Sequence, residues 1–169
     1  MARSVTDRPR SSANALPRWI QPQLTKLTDT PPGGSGWLHE IKFDGYQLHA
    51  RLDHSAVRLL TRTGLDWTHE YPAIAAAVSS LGAKQAYLDG EPCGVRPDGT
   101  TSFSAIQNAS DTGKSDALVF LIVDLLYLDG ETLSSAPLID RKARLQRLLV
   151  TKTVGQALSS QNVSNRTTS

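Results

Sequence analysis

Apolar residues alternate with polar ones most clearly from Tyr46 to Leu52. Tyr46, Leu48, Ala50 and Leu52 fall on one side and Gln47, His49 and Arg51 on the other. That is the period of a half-buried strand. Asp53-His54-Ser55 turns the chain and Ala56 to Thr61 runs back as a second strand. Upstream, Trp37 to Ile41 is a shorter strand candidate, separated from the first by an Asp44-Gly45 turn. The spacing then changes to helical: Ile74, Val78 and Leu81 share a face in Tyr71–Leu81, and Gly82 stops the run. Ala86–Asp89 and Cys93–Val95 are predicted as short partner strands, and Arg96 to Thr100 as a turn. A short helix is predicted from Ser102 to Ala109. Leu118 to Val123 is a continuous apolar run into Asp124, the pattern of a strand buried on both faces. Asp129-Gly130 is a further turn. From Ile139 to Val150 the chain is amphipathic, with Leu138, Leu145, Leu148 and Leu149 inside and Arg141, Lys142, Arg144 and Arg147 outside. Strands joined by turns, with helices between them, predict an α+β fold of antiparallel sheets with packed helices.

The flanks lack this periodicity. Residues 1–18 carry Arg3, Arg8, Arg10 and Arg18 among Ser, Thr, Asn and Pro, and predict a disordered basic arm. Trp19 to Leu27 is an irregular leader, followed by the loop composition of residues 30–36. In residues 151–169, 12 of 19 are Ser, Thr, Asn or Gln and none is acidic, which predicts a polar disordered tail. The folded unit is therefore expected at residues 19–150.

Composition narrows the class. The chain of 169 residues is 39% hydrophobic and 20% charged, with a net charge of +2 that does not by itself announce a nucleic-acid binder. Cys93 stands alone, which excludes an intramolecular disulfide framework and a cysteine-rich zinc site. His39, His49, His54 and His69 have no metal-ligand spacing and are expected to be structural or at the surface. No apolar run approaches the ~20 residues of a membrane span. A soluble, single-domain chain of a reducing compartment is expected.

Candidate chemistry lies at strand ends, in the order Glu40, Lys42, Asp44, Arg62, Glu91, Asp124. Singly, each has a plain alternative: an edge lysine, a turn aspartate, a loop arginine, a surface carboxylate. Together they form a series. Lys42-Phe43-Asp44-Gly45 has the form K-x-D-G, Thr61-Arg62-Thr63-Gly64 follows, then Asp89-Gly90-Glu91, then the apolar strand into Asp124-Leu125-Leu126-Tyr127-Leu128-Asp129-Gly130. This series resembles the covalent nucleotidyltransferase superfamily. Trp37–Tyr46 and Leu59–Trp67 are similar in wording to the adenylation domain of bacterial ATP-dependent DNA ligases of the end-joining type, and the resemblance runs from about Pro17 to Leu149.

The resemblance implies a reaction and roles. Lys42 attacks the α-phosphate of ATP and keeps AMP as a phosphoramidate. AMP passes to a 5′-phosphate at a DNA nick, and the 3′-hydroxyl then displaces it. Mg²⁺ offsets the phosphate charge. Glu40 and the Ile41 backbone read the adenine edge, Glu91 holds the ribose and helps place the metal, and Arg62 lies near ribose and nick phosphate. Asp44, Gly45, Asp89, Gly90 and Asp124 belong to the motifs that shape the site. The implied partners are nicked or broken double-stranded DNA, with an end-binding protein or the other half of a ligase, and the implied setting is cytoplasmic, bacterial and nucleoid-associated.

Departures from the family pattern point to an impaired reaction. Gln47 stands where an arginine is usual, losing charge and a bidentate phosphate fork. Val123 replaces an aromatic that stacks on adenine, and strand alternation puts Phe120 on the opposite side. Pro92 follows Glu91 where a ladder donor is usual. The family's later motifs, a metal-binding glutamate and a K-x-K pair, are not found after Leu149. The expectation is therefore an incomplete fold, truncated before its last motifs, with Leu121 and Ile122 uncovered. A catalytically dead nucleotide-binding remnant is the alternative, and an RNA ligase or capping-type nucleotidyltransferase a further one.

Overall fold

The computed structural model describes residues 14–24, 26–30, 32–34, 37–40, 46–95, 101–102, 118–150 and 158–160. The alternating stretch forms β1 (Leu48–Asp53), which turns at His54 and Ser55 into β2 (Ala56–Thr61). A single 3-10 turn at Thr68–Glu70 precedes α1 (Pro72–Ser79). Then come β3 (Gln85–Val95), β4 (Thr101–Ser102), β5 (Leu118–Leu128), β6 (Glu131–Thr132), α2 (Leu138–Val150) and β7 (Leu158–Ser160). The strands make one sheet in the order β2-β1-β3-β5-β6, with β4 on β3 and β7 on β5. The pairings are antiparallel except β5 with β7, which is parallel, so the predicted antiparallel sheets are one mixed sheet within an α+β fold.

Register sorts the side chains into two layers. Leu48, Ala50 and Leu52 of β1, Ala86 and Leu88 of β3, and Phe120, Ile122 and Leu125 of β5 share one buried cluster. Helix α1 covers it with Ile74 and Val78, and α2 with Leu145 and Leu148. Proline at the first turn of α1 is compatible with its missing donor, and the alanines that follow favour helix. The helix ends at Ser79, ahead of Gly82, where the Ser79 and Ser80 hydroxyls bond the carbonyls of Ala76 and Ala77.

The opposite face of the sheet is also buried. Leu16, Tyr87 and Tyr127 form a second cluster, with Ile20 and Leu126 packed on it. Residues 14–20 cross this face. Asn14 donates its amide to the Gly130 carbonyl at 3.0 Å, Tyr127 donates to the Asn14 carbonyl at 2.6 Å, and Arg51 donates to the Pro17 carbonyl at 2.9 Å. The end of the expected arm is thus packed, and β1 is buried on both sides, with His49 only 1% exposed. The rest of the arm, residues 1–13, lies outside the described residues, as do residues 103–109 of the helix expected at 102–109, whose first residue, Ser102, is in β4.

Three more expectations change. The two short strands around Asp89-Gly90-Glu91 are one strand of 11 residues, running through Pro92. Pairing with β1 ends at Gly90 and pairing with β4 begins at Gly94. Pro92 therefore sits between two neighbours on that side, at a local edge where a strand tolerates a missing donor. Leu158–Ser160, within the stretch predicted as a tail, forms β7, and Leu158 joins the main core. Leu121 and Ile122 are 8% and 0% exposed, so they are covered rather than bare.

Candidate active site

The β1–β3–β5 register brings polar side chains to the face opposite the main core. His49 lies opposite Asp89, and Asp89 opposite Asp124. Both β3 shifts skip a residue of β5, Leu126 in one and Val123 in the other. Such bulges re-aim side chains locally. Asp124 lies within β5 and takes hydrogen bonds from Arg141 of α2, at 2.9 Å from Nε to Oδ1 and 2.8 Å from Nη2 to Oδ2. Arg141 also donates to the Ala136 carbonyl at 2.6 Å. This guanidinium is a half-buried clamp and not the solvated helix face predicted.

Asp89 is held from the other side. The Gln47 amide donates to both of its carboxylate oxygens at 3.1 Å. Burial pushes the Asp89 carboxyl up to about 6, against the Gln47 hydrogen bond, and the Asp124 carboxylate pushes it further the same way. The residue standing in place of an arginine thus supplies a neutral donor to a buried carboxyl.

His49 extends the network. Its Nδ1 is 3.0 Å from the Tyr87 hydroxyl, which accepts the Ile20 N–H at 3.0 Å. The tyrosine proton is then free to go to Nδ1, which leaves Nε2 as the N–H facing Asp89, at 3.4 Å. Burial lowers His49 to about 4, so the ring is neutral near pH 7. This gives a pH prediction. Between about 4 and the ordinary 6.5 the unfolded chain binds a proton at His49 that the folded chain does not. The contribution is fully present above 6.5 and is lost as pH falls toward 4. Asp89, raised, has the opposite slope and is lost as pH rises through about 6, so the two offset each other in the parent. His49→Gln removes one slope. The stability of the parent minus that of the variant is expected to grow by about 3 kcal/mol from pH 4 to 6.5. Urea melts across that range check it, and a difference independent of pH would refute it.

The other predicted residues divide. Glu91 follows in β3, opposite Leu121. Gly90 lies under the Phe120 ring in the main core, which also accounts for Phe120 pointing away from Val123's side. Glu40 pairs with Lys142 of α2, whose ammonium also donates to the Val123 carbonyl. Trp37 to Glu40 contains a single bridge residue, His39, rather than a strand. Arg62 is exposed in a tight loop closed by Gly64 at φ +84°, with the Trp19 ring 3.5 Å from where a Cβ would stand. The structure does not bring it into the polar network. Ile41, Lys42, Asp44 and Gly45 lie outside the described residues. On either side of them, Glu40 reaches the Val123 carbonyl through Lys142, and Gln47 bonds directly to Asp89. Cys93 is buried and its thiol is pushed up to about 11, first by burial and then by the Glu91 carboxylate, so it is no nucleophile.

Sequence reasoning missed Lys142, which is 7% exposed. A signal existed: Leu138, Lys142, Leu145 and Leu149 follow helical spacing, which puts the lysine on the apolar stripe.

Comparison with known proteins follows the same lines. Residues 20–168 match the family described as the ATP dependent DNA ligase domain, a match that continues through the polar carboxy-terminal stretch. The multifunctional non-homologous end joining protein LigD of Pseudomonas aeruginosa is 41% identical over 134 residues, covering 79% of this chain and 16% of that protein. LigD of Mycobacterium tuberculosis, a multifunctional non-homologous end joining DNA repair protein, is 41% identical over 114 residues, covering 68% of this chain and 15% of its own length. The crystal structure of the M. tuberculosis LigD ligase domain matches with a TM-score of 0.60 at 34% identity, over 75% of this chain and 40% of that one. A mycobacterial DNA ligase D complexed with ATP and MES matches with the same score, 0.60, at 33% identity, over 75% of this chain and 39% of that one.

Proposed function

The chain belongs to the ATP-dependent DNA ligase domain family, and we propose that its polar sheet face binds ATP so that Lys42 takes AMP for transfer to a 5′-phosphate at a DNA nick. The observation that carries this reading is that both flanks of the K-x-D-G segment are anchored on the same sheet face, Gln47 directly on Asp89 and Glu40 through Lys142 on the Val123 carbonyl. Anchors on both flanks would hold the nucleophile in place before ATP arrives and so lower the entropic part of the barrier. Glu40 and the Ile41 backbone would meet adenine, Glu91 the ribose, and Arg62 a phosphate once DNA is present. The polar set fits the base and ribose of a nucleotide, with carboxylate acceptors for amine and hydroxyl groups. Among the described residues no group of three or more His, Cys, Asp or Glu is placed to hold a metal. A Mg²⁺ ion would therefore take mainly phosphate and water oxygens, with Glu91 as its protein carboxylate, a mode usual for this ion.

We extend the proposal to the setting. The DNA-joining reaction serves break repair on cytoplasmic chromosomal DNA, with further protein mass supplied in the same or another chain. Among the described residues no helix is long and apolar enough to cross a membrane. The folded unit then reaches beyond 19–150, taking in residues 14–18 on one side and 158–160 on the other. A nucleotide-binding remnant is the second reading, favoured by Gln47 giving Asp89 a neutral donor where the family has a cation.

Self-adenylation tests both. Purified chain with α-labelled ATP and Mg²⁺ is expected to carry label that survives denaturation. Folded protein that binds ATP and takes no label would refute the enzyme reading in favour of the remnant.

A further inference from the structure

Lys142 is the buried cation that packing does not explain. It lies on the core side of α2 with Leu145 and Leu148, at 7% exposure. Burying an ammonium is unfavourable unless it is paired, and a leucine or methionine there would serve the core better. Its two partners are specific. One is the carbonyl of Val123, the residue skipped in the β3–β5 register. The other is Oε1 of Glu40, 102 residues away in sequence and two before Lys42. Glu40 keeps 28% of its side chain exposed, while the lysine side chain keeps 8%. The contact therefore holds Oε1 of Glu40 from inside the fold, while the exposed part of the carboxylate can accept a hydrogen bond from outside it.

We propose that Lys142 is a positioning residue that aims Glu40 at the base of the nucleotide and so sets preference for a 6-amino over a 6-oxo purine. This deepens the ATP-binding reading above and rests on it. A purine carrying an amino group at C6 donates to the exposed part of the Glu40 carboxylate. A purine carrying a carbonyl there presents an acceptor to an acceptor, and discrimination between such pairs is large where the acceptor is held in place. Without Lys142 the carboxylate rotates into solvent and the discrimination falls, while the rest of the pocket is unchanged.

The test is equilibrium binding of ATP and of inosine triphosphate by calorimetry, in a Lys42→Ala background that blocks turnover. Lys142→Met is expected to weaken ATP about tenfold and to leave the 6-oxo nucleotide within about twofold, with Lys142→Arg restoring most of the loss. Glu40→Gln should have a similar effect, and adding Lys142→Met to Glu40→Gln should cost nothing more. An unchanged ATP preference in folded Lys142→Met would overturn the proposal. So would additive losses in the double variant. That comparison stands alone where Lys142→Met does not fold, since the double variant leaves no unpaired charge. Binding of neither nucleotide by the Lys42→Ala protein would remove this proposal together with the ATP-binding reading. Tight ATP binding with an intact preference, but no self-labelling of the parent, would remove only the enzymatic reading.

Discussion

Lys42→Ala is expected to abolish self-adenylation, by at least about a thousandfold, and Lys42→Arg to abolish it as completely. The second variant carries the argument. An ordinary lysine has a pKa of about 10.4 and is a nucleophile only in the small neutral fraction, which a site enlarges by burial or neighbouring cations. Arginine keeps the positive charge and can still attract the phosphates, but its guanidinium stays protonated and offers no lone pair. ATP binding by calorimetry is therefore expected to survive Lys42→Arg while the label disappears. Label retained in either variant would mean that another side chain takes AMP, and Lys142 would be the first to examine. Loss of ATP binding in Lys42→Arg would instead mean that Lys42 shapes the pocket rather than attacking from it.

Local pattern was a reliable guide where local forces decide. The β1–β2 hairpin follows from alternation and a turn at His54, whose φ is +58°. The Asp129-Gly130 turn has positive φ at both positions, as such a dipeptide favours between antiparallel strands. The buried run into Asp124 is β5, and the amphipathic stretch is α2. What could not be read depends on distant partners. His49 is buried because residues 14–20 cross its face, and nothing in the alternation of β1 announces that cover. Pro92 continues a strand because β1 stops pairing two residues earlier, a fact of register rather than of propensity. Leu158–Ser160 pairs with β5 despite its polar surroundings, because one leucine and three backbone residues suffice beside an existing strand.

The candidate site shows the same division. The motif series was legible in order, and the family comparison agrees with it. Its wiring was not. Alternation gives a face to Asp89 and to Asp124 separately, but their proximity needs the bulge at Val123. Gln47 was read as a loss of charge; in the fold it is also a gain, a bidentate neutral donor to Asp89. Arg141 and Lys142 were assigned to solvent by residue type, although helical spacing placed Lys142 with the leucines. Periodicity outranks charge at Lys142, because the acceptors at Glu40 and Val123 pair the buried ammonium, as Asp124 pairs Arg141.

Gly90→Ala is the substitution expected to damage the fold most. The glycine lies inside β3, where an ordinary strand residue would carry a side chain toward the main core. A Cβ built there stands 2.6 Å from the Leu121 carbonyl oxygen and 2.8 Å from Cζ of Phe120. The ring could turn aside, but the carbonyl belongs to the backbone of β5, the strand that holds Asp124. Relief would require β3 and β5 to separate at the register shift between Asp89 and Gly90, and so would pull apart the carboxylates on the opposite face. Overpacking of this kind costs about 1–3 kcal/mol or more, and a backbone contact belongs at the upper end. For a chain of this size about 3 kcal/mol corresponds to a Tm about 6–12 °C lower. Phe120→Leu added to Gly90→Ala distinguishes the two clashes. If the ring were the obstacle, the double variant would recover most of the loss; because the carbonyl remains, it is expected to recover little and to add its own cavity cost. A Tm for Gly90→Ala within 2 °C of the parent would mean that β3 and β5 can shift apart freely at this point, and the case for a rigid frame beneath the site would fail with it.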